Sequence, residues 1–247
     1  MITNPYPDTV YIGITDKCNA NCVICWRRAV KQEFLDFDKE FLEKIIPFLE
    51  NVKVIGWWGD GELFAHSEIQ YILNKMRQLS SVKHRFSTNG KKLLEYANDL
   101  SDINIDEIIV SIDGATEGTL SRIRVGVHLD DIKQGIYELY RCFNEKRRQM
   151  PKLIFAFTSM MSNIYELPEM VELAKELKVG EIRVQPLNPH HSNLIAEDLS
   201  VVAPGIEKKY FDKASMLGDI IGVKVTHCNE EKLSITSRIN AGACVET

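Results

Sequence analysis

Residues 10–25, VYIGITDKCNANCVIC, join a β-branched run directly to three cysteines. VYIGIT (10–15) reads as a short buried strand. Cys18, Cys22 and Cys25 follow it, with three residues and then two between the thiols. Three thiolates can hold three irons of a four-iron cluster and leave the fourth without a protein ligand, which points to chemistry more than to electron storage. A zinc knot would show a fourth Cys or His at similar spacing. The nearest histidine, His66, belongs to another strand–helix unit, so the spacing favours an iron–sulfur site.

The same order, a strand followed by a polar turn and a helix, repeats along the chain. Strand-like runs fall at 10–15, 52–57, 82–87, 105–112, 152–159 and 181–186, with helix-period stretches between them at about 38–49, 67–79, 91–100, 129–148 and 168–177. In the first helix Phe41, Ile45 and Phe48 share one face, and Pro47 is expected to kink or shorten it. Six such repeats imply parallel strands with helical crossovers. The strands read as apolar on both faces, as in a sheet covered by helices on its outside. The expected fold is α/β, a partial (β/α)6 TIM-like barrel with a short C-terminal extension; a flat doubly wound sheet also fits the pattern. Residues 1–190 form the core on this reading and 191–247 the extension. Within the extension, a helix is expected around 206–217 and one more strand at IIGVKVTH (220–227).

Bulk properties narrow the classes. A formal charge of −5 over 247 residues gives no basic field for nucleic acid or an anionic membrane. No apolar run approaches the ~20 residues that span a bilayer. The start, MITNPYPDTV, lacks the basic and apolar parts of a signal peptide. The expected compartment is the cytoplasm, where thiols stay reduced and six cysteines read as metal ligands and buried residues.

In parallel α/β folds, chemistry gathers at the carboxyl ends of the strands. Glycine and small polar residues recur at those ends here. The second strand leads into Trp58-Gly59-Asp60-Gly61-Glu62, where two glycines permit close backbone approach and Glu62 can accept from an ammonium group. The third ends in Ser87-Thr88-Asn89-Gly90 and the fourth in Ser111-Ile112-Asp113-Gly114; their hydroxyl, amide and carboxylate groups suit ribose hydroxyls. Arg122 and Arg124 follow, with guanidinium groups able to pair with a carboxylate or to stay solvated. Gln185, Pro186 and Leu187 close the sixth strand, and Asn188, His190, His191 and Asn193 lie in the loop beyond it. Taken singly, each Gly-rich or Asn-Gly turn is more often only a turn.

Together these residues resemble a radical S-adenosylmethionine enzyme. The likeness covers about residues 8–188 and centres on the CX3CX2C run. Gly59-Asp60-Gly61-Glu62 is similar to the family's Gly-Gly-Glu segment, which contacts the amino group of S-adenosylmethionine. Ser87–Gly90 and Ser111–Gly114, with Asn89 and Asp113 among them, fall where members contact ribose and methionine. Gln185 and Leu187 fall where the sixth strand backs the adenine. SIDGATEGTLSRIRVG (111–126), with Arg124 inside it, resembles members carrying a C-terminal SPASM or twitch extension. Ile24 stands where many members carry an aromatic residue, and Trp26 follows the third cysteine.

The resemblance implies a [4Fe-4S] cluster on Cys18, Cys22 and Cys25, with S-adenosylmethionine chelating the open iron. It implies reductive cleavage to a 5′-deoxyadenosyl radical, hydrogen abstraction from substrate, and an external one-electron donor such as flavodoxin or ferredoxin. Cys142 reads as a buried helix residue. Cys228 and Cys244 fall where such extensions bind auxiliary clusters, but two thiols cannot complete a four-cysteine site. The tail AGACVET resembles the beginning of a SPASM segment, so the extension is expected to be truncated or degenerate, or its auxiliary cluster to be completed by other ligands. The cluster motif begins at residue 18, leaving no room ahead of it for a peptide-recognition domain. The expected substrate is therefore a small polar metabolite: a sugar, an aminocyclitol or a nucleoside-like compound. A peptide-modifying (RiPP) maturase is one alternative, and a non-catalytic iron–sulfur protein for electron transfer or structure is the other.

Overall fold

The computed structural model describes residues 5–228. Seven strands form one sheet: β1 (Thr9–Gly13), β2 (Val54–Trp58), β3 (Lys83–Thr88), β4 (Ile105–Ser111), β5 (Lys152–Ser159), β6 (Glu181–Pro186) and β7 (Lys224–His227). Every neighbouring pair is parallel, and the spatial order is β1 to β7 without a break. A doubly wound sheet needs a point where the strand order reverses. There is none here, so the flat alternative is excluded. Crossovers of one hand, always advancing in one direction, put all helices on one face. The sheet rolls its other face inward as a partial barrel, and among the described residues β1 and β7 remain unpaired with each other.

The helices are α1 (Lys39–Leu49), α2 (Ile69–Gln78), α3 (Leu93–Leu100), α4 (Glu117–Ile123), α5 (Leu129–Glu145), α6 (Leu167–Glu176), α7 (Leu199–Val202) and α8 (Ile206–Ile221). None is long and apolar enough to cross a membrane. The outer strand faces, carrying Ile108, Val110, Phe155, Phe157, Ile182 and Val184, pack into the main core beneath them. The opposite faces carry Ile109, Ile154 and Ala156, closed by Trp58 inside the barrel.

Several expectations need correction. Pro47 does not cut α1 short: the helix continues to Leu49. So near the C-terminus proline forfeits a single backbone bond, and Asn51 Nδ2 donates to the Pro47 carbonyl at 2.7 Å. The buried stripe of α1 is carried by Leu42 and Leu49, whereas Phe41 and Phe48 are exposed, Phe41 edge-on to Phe37 and Phe48 tilted against Tyr6. The inner strand faces are not wholly apolar. Glu107, Glu181 and Arg183 are drawn in together, Arg183 donating to both oxygens of Glu107 at 3.1 and 3.2 Å and to Glu181 at 3.1 Å. Such charges are tolerated inside because they are paired and hydrogen-bonded.

Six strands were expected in the core and one more at 220–227; the latter is β7, which joins the same sheet. Residues 220 and 221 belong to α8, because Gly222 takes a left-handed conformation (φ 82°) that ends that helix; the strand proper begins at Lys224. Since β7 pairs with β6, the sheet runs past residue 190. α4, unforeseen in sequence, is seven residues long and begins at the Thr116 cap, whose hydroxyl accepts from Thr119 N–H.

Candidate active site

A cavity of about 560 Å³ opens at the carboxyl ends of the strands. Cys18, Cys22 and Cys25 line it, and so do Gly59, Asp60, Gly61 and Glu62 from the turn after β2. Ser87, Asn89, Ser111, Arg124, Gln185 and Leu187 complete the sequence-predicted set on its wall. Asp113 is the exception. It is fully buried behind Arg124 and does not reach the cavity. Arg122 lies exposed on α4 and outside the wall.

The cysteine loop is braced on four sides. Behind it, Asp16 N–H donates to Leu35 O at 2.9 Å and Phe37 N–H to Ile14 O at 2.8 Å. Asp36 gathers Thr15 Oγ1–H, Lys17 Nζ–H and Ser67 Oγ–H. Burial works against its charge, but these donors outweigh it and hold the Asp36 carboxyl well below the usual carboxylate range. Beneath the loop, Gly61 N–H donates to Thr15 O at 3.0 Å and Glu62 N–H to Lys17 O at 2.8 Å. A Cβ on Gly61 would lie 2.2 Å from the Lys17 carbonyl oxygen, so no larger residue lets these two backbones meet. The glycines read in sequence as room for a ligand thus seat the cysteine loop. On the third side Asn89 Nδ2 donates to Asn19 Oδ1 at 2.8 Å. On the fourth, Asn21 and Val23 donate to the carbonyls of Val125 and Ile123, both at 2.8 Å.

Among the described residues, no group of three or more His, Cys, Asp or Glu side chains is gathered tightly enough to hold a single metal ion. The three thiols are free and face one cavity without converging on a point. That spread fits a cluster with several metal atoms better than a zinc knot. Burial pushes the Cys22 thiol up to about 11 and raises that of Cys18, so metal binding here must displace protons.

Glu62 is buried, and its oxygens accept from Thr88 Oγ1–H at 2.6 Å and Asn89 N–H at 2.7 Å. Burial raises its pKa against the pull of these donors. A carboxylate offers about four acceptor positions, so Glu62 keeps capacity toward the cavity. Arg124 Nε lies 2.7 Å from Asp113 Oδ2, an ion pair without a directed hydrogen bond. Burial disfavours the Arg124 charge, but Asp113 beside it keeps its pKa above the ordinary value. Asp113 Oδ1 accepts from Thr158 N–H at 2.8 Å, and Asn163 Nδ2 donates to the carbonyls of Asp113 and Thr158.

Sequence reading missed Asn19, Asp36, Asn163, Glu166 and Arg27. Glu166 accepts from Ala115 N–H, Thr116 N–H and the hydroxyls of Thr116 and Thr119, fixing the loop between Asp113 and Arg124. Only Asn19, lying between the first two cysteines, carried a local signal. The others act across thirty or more residues or from a loop without period. Of the late cysteines, Cys228 is half-buried just beyond β7, and Cys244 lies outside the described residues.

This arrangement can be set beside known proteins. The Radical SAM superfamily model matches residues 12–151. The tungsten-containing aldehyde ferredoxin oxidoreductase cofactor-modifying protein of Pyrococcus furiosus is 26% identical over 213 residues, 81% of this chain and 58% of that protein. A probable GTP 3′,8-cyclase of Methanococcus maripaludis (strain C5) is 23% identical over 198 residues, 74% of this chain and 62% of that protein. The chain thus spans about three fifths of these two curated relatives' length. Two solved structures share the fold. Streptococcus suis SuiB bound to S-adenosylmethionine has a TM-score of 0.65 at 16% identity, over 90% of this chain and 50% of that one. Native anSMEcpe with bound AdoMet has a TM-score of 0.68 at 15% identity, over 90% and 64%. The family match takes in the cysteine loop, β2 to β4 and more than half of the residues, and on that ground the chain belongs to the radical SAM superfamily.

Proposed function

We propose that this radical SAM enzyme carries a [4Fe-4S] cluster on Cys18, Cys22 and Cys25, binds S-adenosylmethionine beside it, and takes a hydrogen atom from a small polar metabolite. Cluster and S-adenosylmethionine together supply a one-electron reductive cleavage that yields the abstracting radical. One observation carries the reading: the three thiols, the Glu62 carboxylate and the Arg124 guanidinium all open into one cavity at the strand ends.

In this reading the chain's residues bind and orient. Glu62, fixed by Thr88 and Asn89, takes the ammonium of S-adenosylmethionine at the turn formed by Gly59, Asp60 and Gly61. Arg124, held by Asp113, takes the carboxylate. Ser87, Asn89 and Ser111 offer polar groups to ribose, and Gln185 and Leu187 flank the adenine. The substrate is read as a sugar, aminocyclitol or nucleoside-like compound held in the same cavity, whose volume lies within the roughly 300–1,000 Å³ of small-molecule sites. The thiols call for a reducing compartment, the cytoplasm, and a flavodoxin- or ferredoxin-type protein as electron donor. Residues 191–247 are read as the C-terminal extension, whose strand β7 joins the sheet, and an auxiliary cluster would involve Cys228 and Cys244.

The test is anaerobic incubation of the reconstituted protein with a reductant and S-adenosylmethionine. 5′-Deoxyadenosine is expected. None above background, with about four irons per chain, would refute the enzyme reading. Cys22→Ala is expected to lose the visible absorbance of the cluster, and a normal spectrum in that variant would sink the ligand assignment. A precursor peptide that becomes modified, with no small molecule turned over, would replace the metabolite by a peptide.

A further inference from the structure

The charged groups on the cavity wall differ in how they are satisfied. Glu62 is held by Thr88 and Asn89, and Arg124 is paired with Asp113. Asp60 is exposed in the turn assigned to the ammonium of S-adenosylmethionine. Arg27 alone among the wall's cations has no carboxylate within ion-pair distance among the described residues. Its Nε is buried and without a hydrogen-bond partner. Its guanidinium carbon sits 4.2 Å from the centre of the Phe34 ring, and Phe34 in turn packs edgewise against Trp26.

A guanidinium stacked on an aromatic face loses freedom before any ligand arrives. Its planar fork of N–H groups matches pairs of oxygens on carboxylate or phosphate. A desolvated donor with no acceptor is costly to maintain, and an oxyanion entering the cavity would supply that acceptor. The wall not allotted to S-adenosylmethionine includes Ile24, Trp26, Arg27, Pro186, Asn188 and His190. Apolar surface there lies beside the Arg27 guanidinium and the hydrogen-bonding side chains of Thr158, Asn188 and His190.

We infer that the substrate is an anion, and that Arg27, positioned by Phe34, binds its carboxylate or phosphate group. The inference rests on the reading of this cavity as the shared site of S-adenosylmethionine and substrate. It narrows the polar metabolite to an acidic one, such as a sugar phosphate, a nucleotide or a sugar acid. The group it names is the oxyanion, whichever molecule carries it.

Matched pairs of probes test it on the protein loaded with cluster and S-adenosylmethionine. The pairs are glucose and glucose 6-phosphate, adenosine and AMP, and glucuronamide and glucuronate, with dissociation constants measured anaerobically by calorimetry. At least one anionic member is expected to bind about tenfold or more tightly than its neutral partner. Arg27→Gln should erase that preference, and Arg27→Lys should keep part of it, since a point charge lacks the fork. The phosphate and carboxylate pairs tell the two sources apart. Equal binding within every pair, absence of binding included, overturns the inference. So does Arg27→Gln with the preference intact and a weaker affinity for S-adenosylmethionine, which would reassign Arg27 to that ligand. Iron content of each variant checks that the cluster is unchanged. Should the wild type make no 5′-deoxyadenosine yet show an anion preference that depends on Arg27, the proposed reaction falls and the anion site stands.

Discussion

Replacing Gly61 by alanine puts one methyl group between the turn after β2 and the cysteine loop. Its Cβ would lie 2.2 Å from Lys17 O, 2.6 Å from Thr15 O and 2.7 Å from Asp16 C, all backbone atoms. Non-bonded atoms settle near 3.5–4.0 Å, so the two segments must part by on the order of 1 Å. Overpacking of this kind costs about 1–3 kcal/mol. Parting also stretches the Gly61 N–H to Thr15 O and Glu62 N–H to Lys17 O bonds, each contributing about 0.5–1.5 kcal/mol. The expected loss is about 2–4 kcal/mol in urea unfolding of the iron-free protein. Because Lys17 adjoins Cys18, iron bound per chain after reconstitution should fall as well. Gly59→Ala meets Thr15 O at 2.8 Å and should cost less. Gly118→Ala is the control: nothing lies within 4 Å of its added Cβ on α4, and helix propensity should leave stability unchanged or raised by up to about 1 kcal/mol. A Gly61→Ala protein within about 0.5 kcal/mol of wild type, loading iron normally, would refute the claim that this contact seats the loop.

Three further outcomes follow from titratable groups held inside the fold. Asp113→Asn leaves the Arg124 guanidinium buried without its anion, and should cost about 3–5 kcal/mol in urea; a loss under about 1 kcal/mol would mean that the pair is solvent-screened. Asp36→Asn should cost on the order of 1–3 kcal/mol near neutral pH. The folded Asp36 carboxyl lies below its unfolded value, so its contribution is fully present above about pH 4 and fades as pH falls from there. Wild-type and variant unfolding midpoints should therefore converge in acid, and a pH-independent gap would argue otherwise. His84 accepts from Trp57 Nε1–H at 2.9 Å through Nδ1, which leaves the proton on Nε2 facing Leu79 O. Burial lowers its pKa to about 4, so the unfolded chain binds the extra proton first and stability drops as pH falls from about 6.5 to 4. That drop, of order 2–3 kcal/mol, should be missing in His84→Gln, as read from unfolding midpoints across the range.

Much of this was legible because two periodicities carry it. Alternating strand–helix runs fixed the parallel order, and the polar and glycine-rich strand ends pointed to the cavity. What the sequence hid has physical causes. The stripe of α1 lies one residue from the expected one, because leucines fill the core while Phe41 and Phe48 cover its rim. Ile220 and Ile221 read as strand by composition, yet Gly222 sets where the helix stops. Asp113 looked like a ligand contact and instead stands behind Arg124. Asp36, Asn163 and Glu166 serve the site through hydrogen bonds spanning long stretches of chain, which no local pattern announces.

The bonds from Asn21 and Val23 to Val125 and Ile123 also impose an order in time. Strands that neighbour one another in space follow one another in sequence, so a chain emerging from the ribosome can add each unit to the last. The cysteines emerge with the first strand. Their loop gains its fourth side only when the segment after β4 has been made. A nascent chain therefore carries the three thiols in a loop not yet braced on every side until β4 and the segment after it have been made, and the proposed iron site is completed only then.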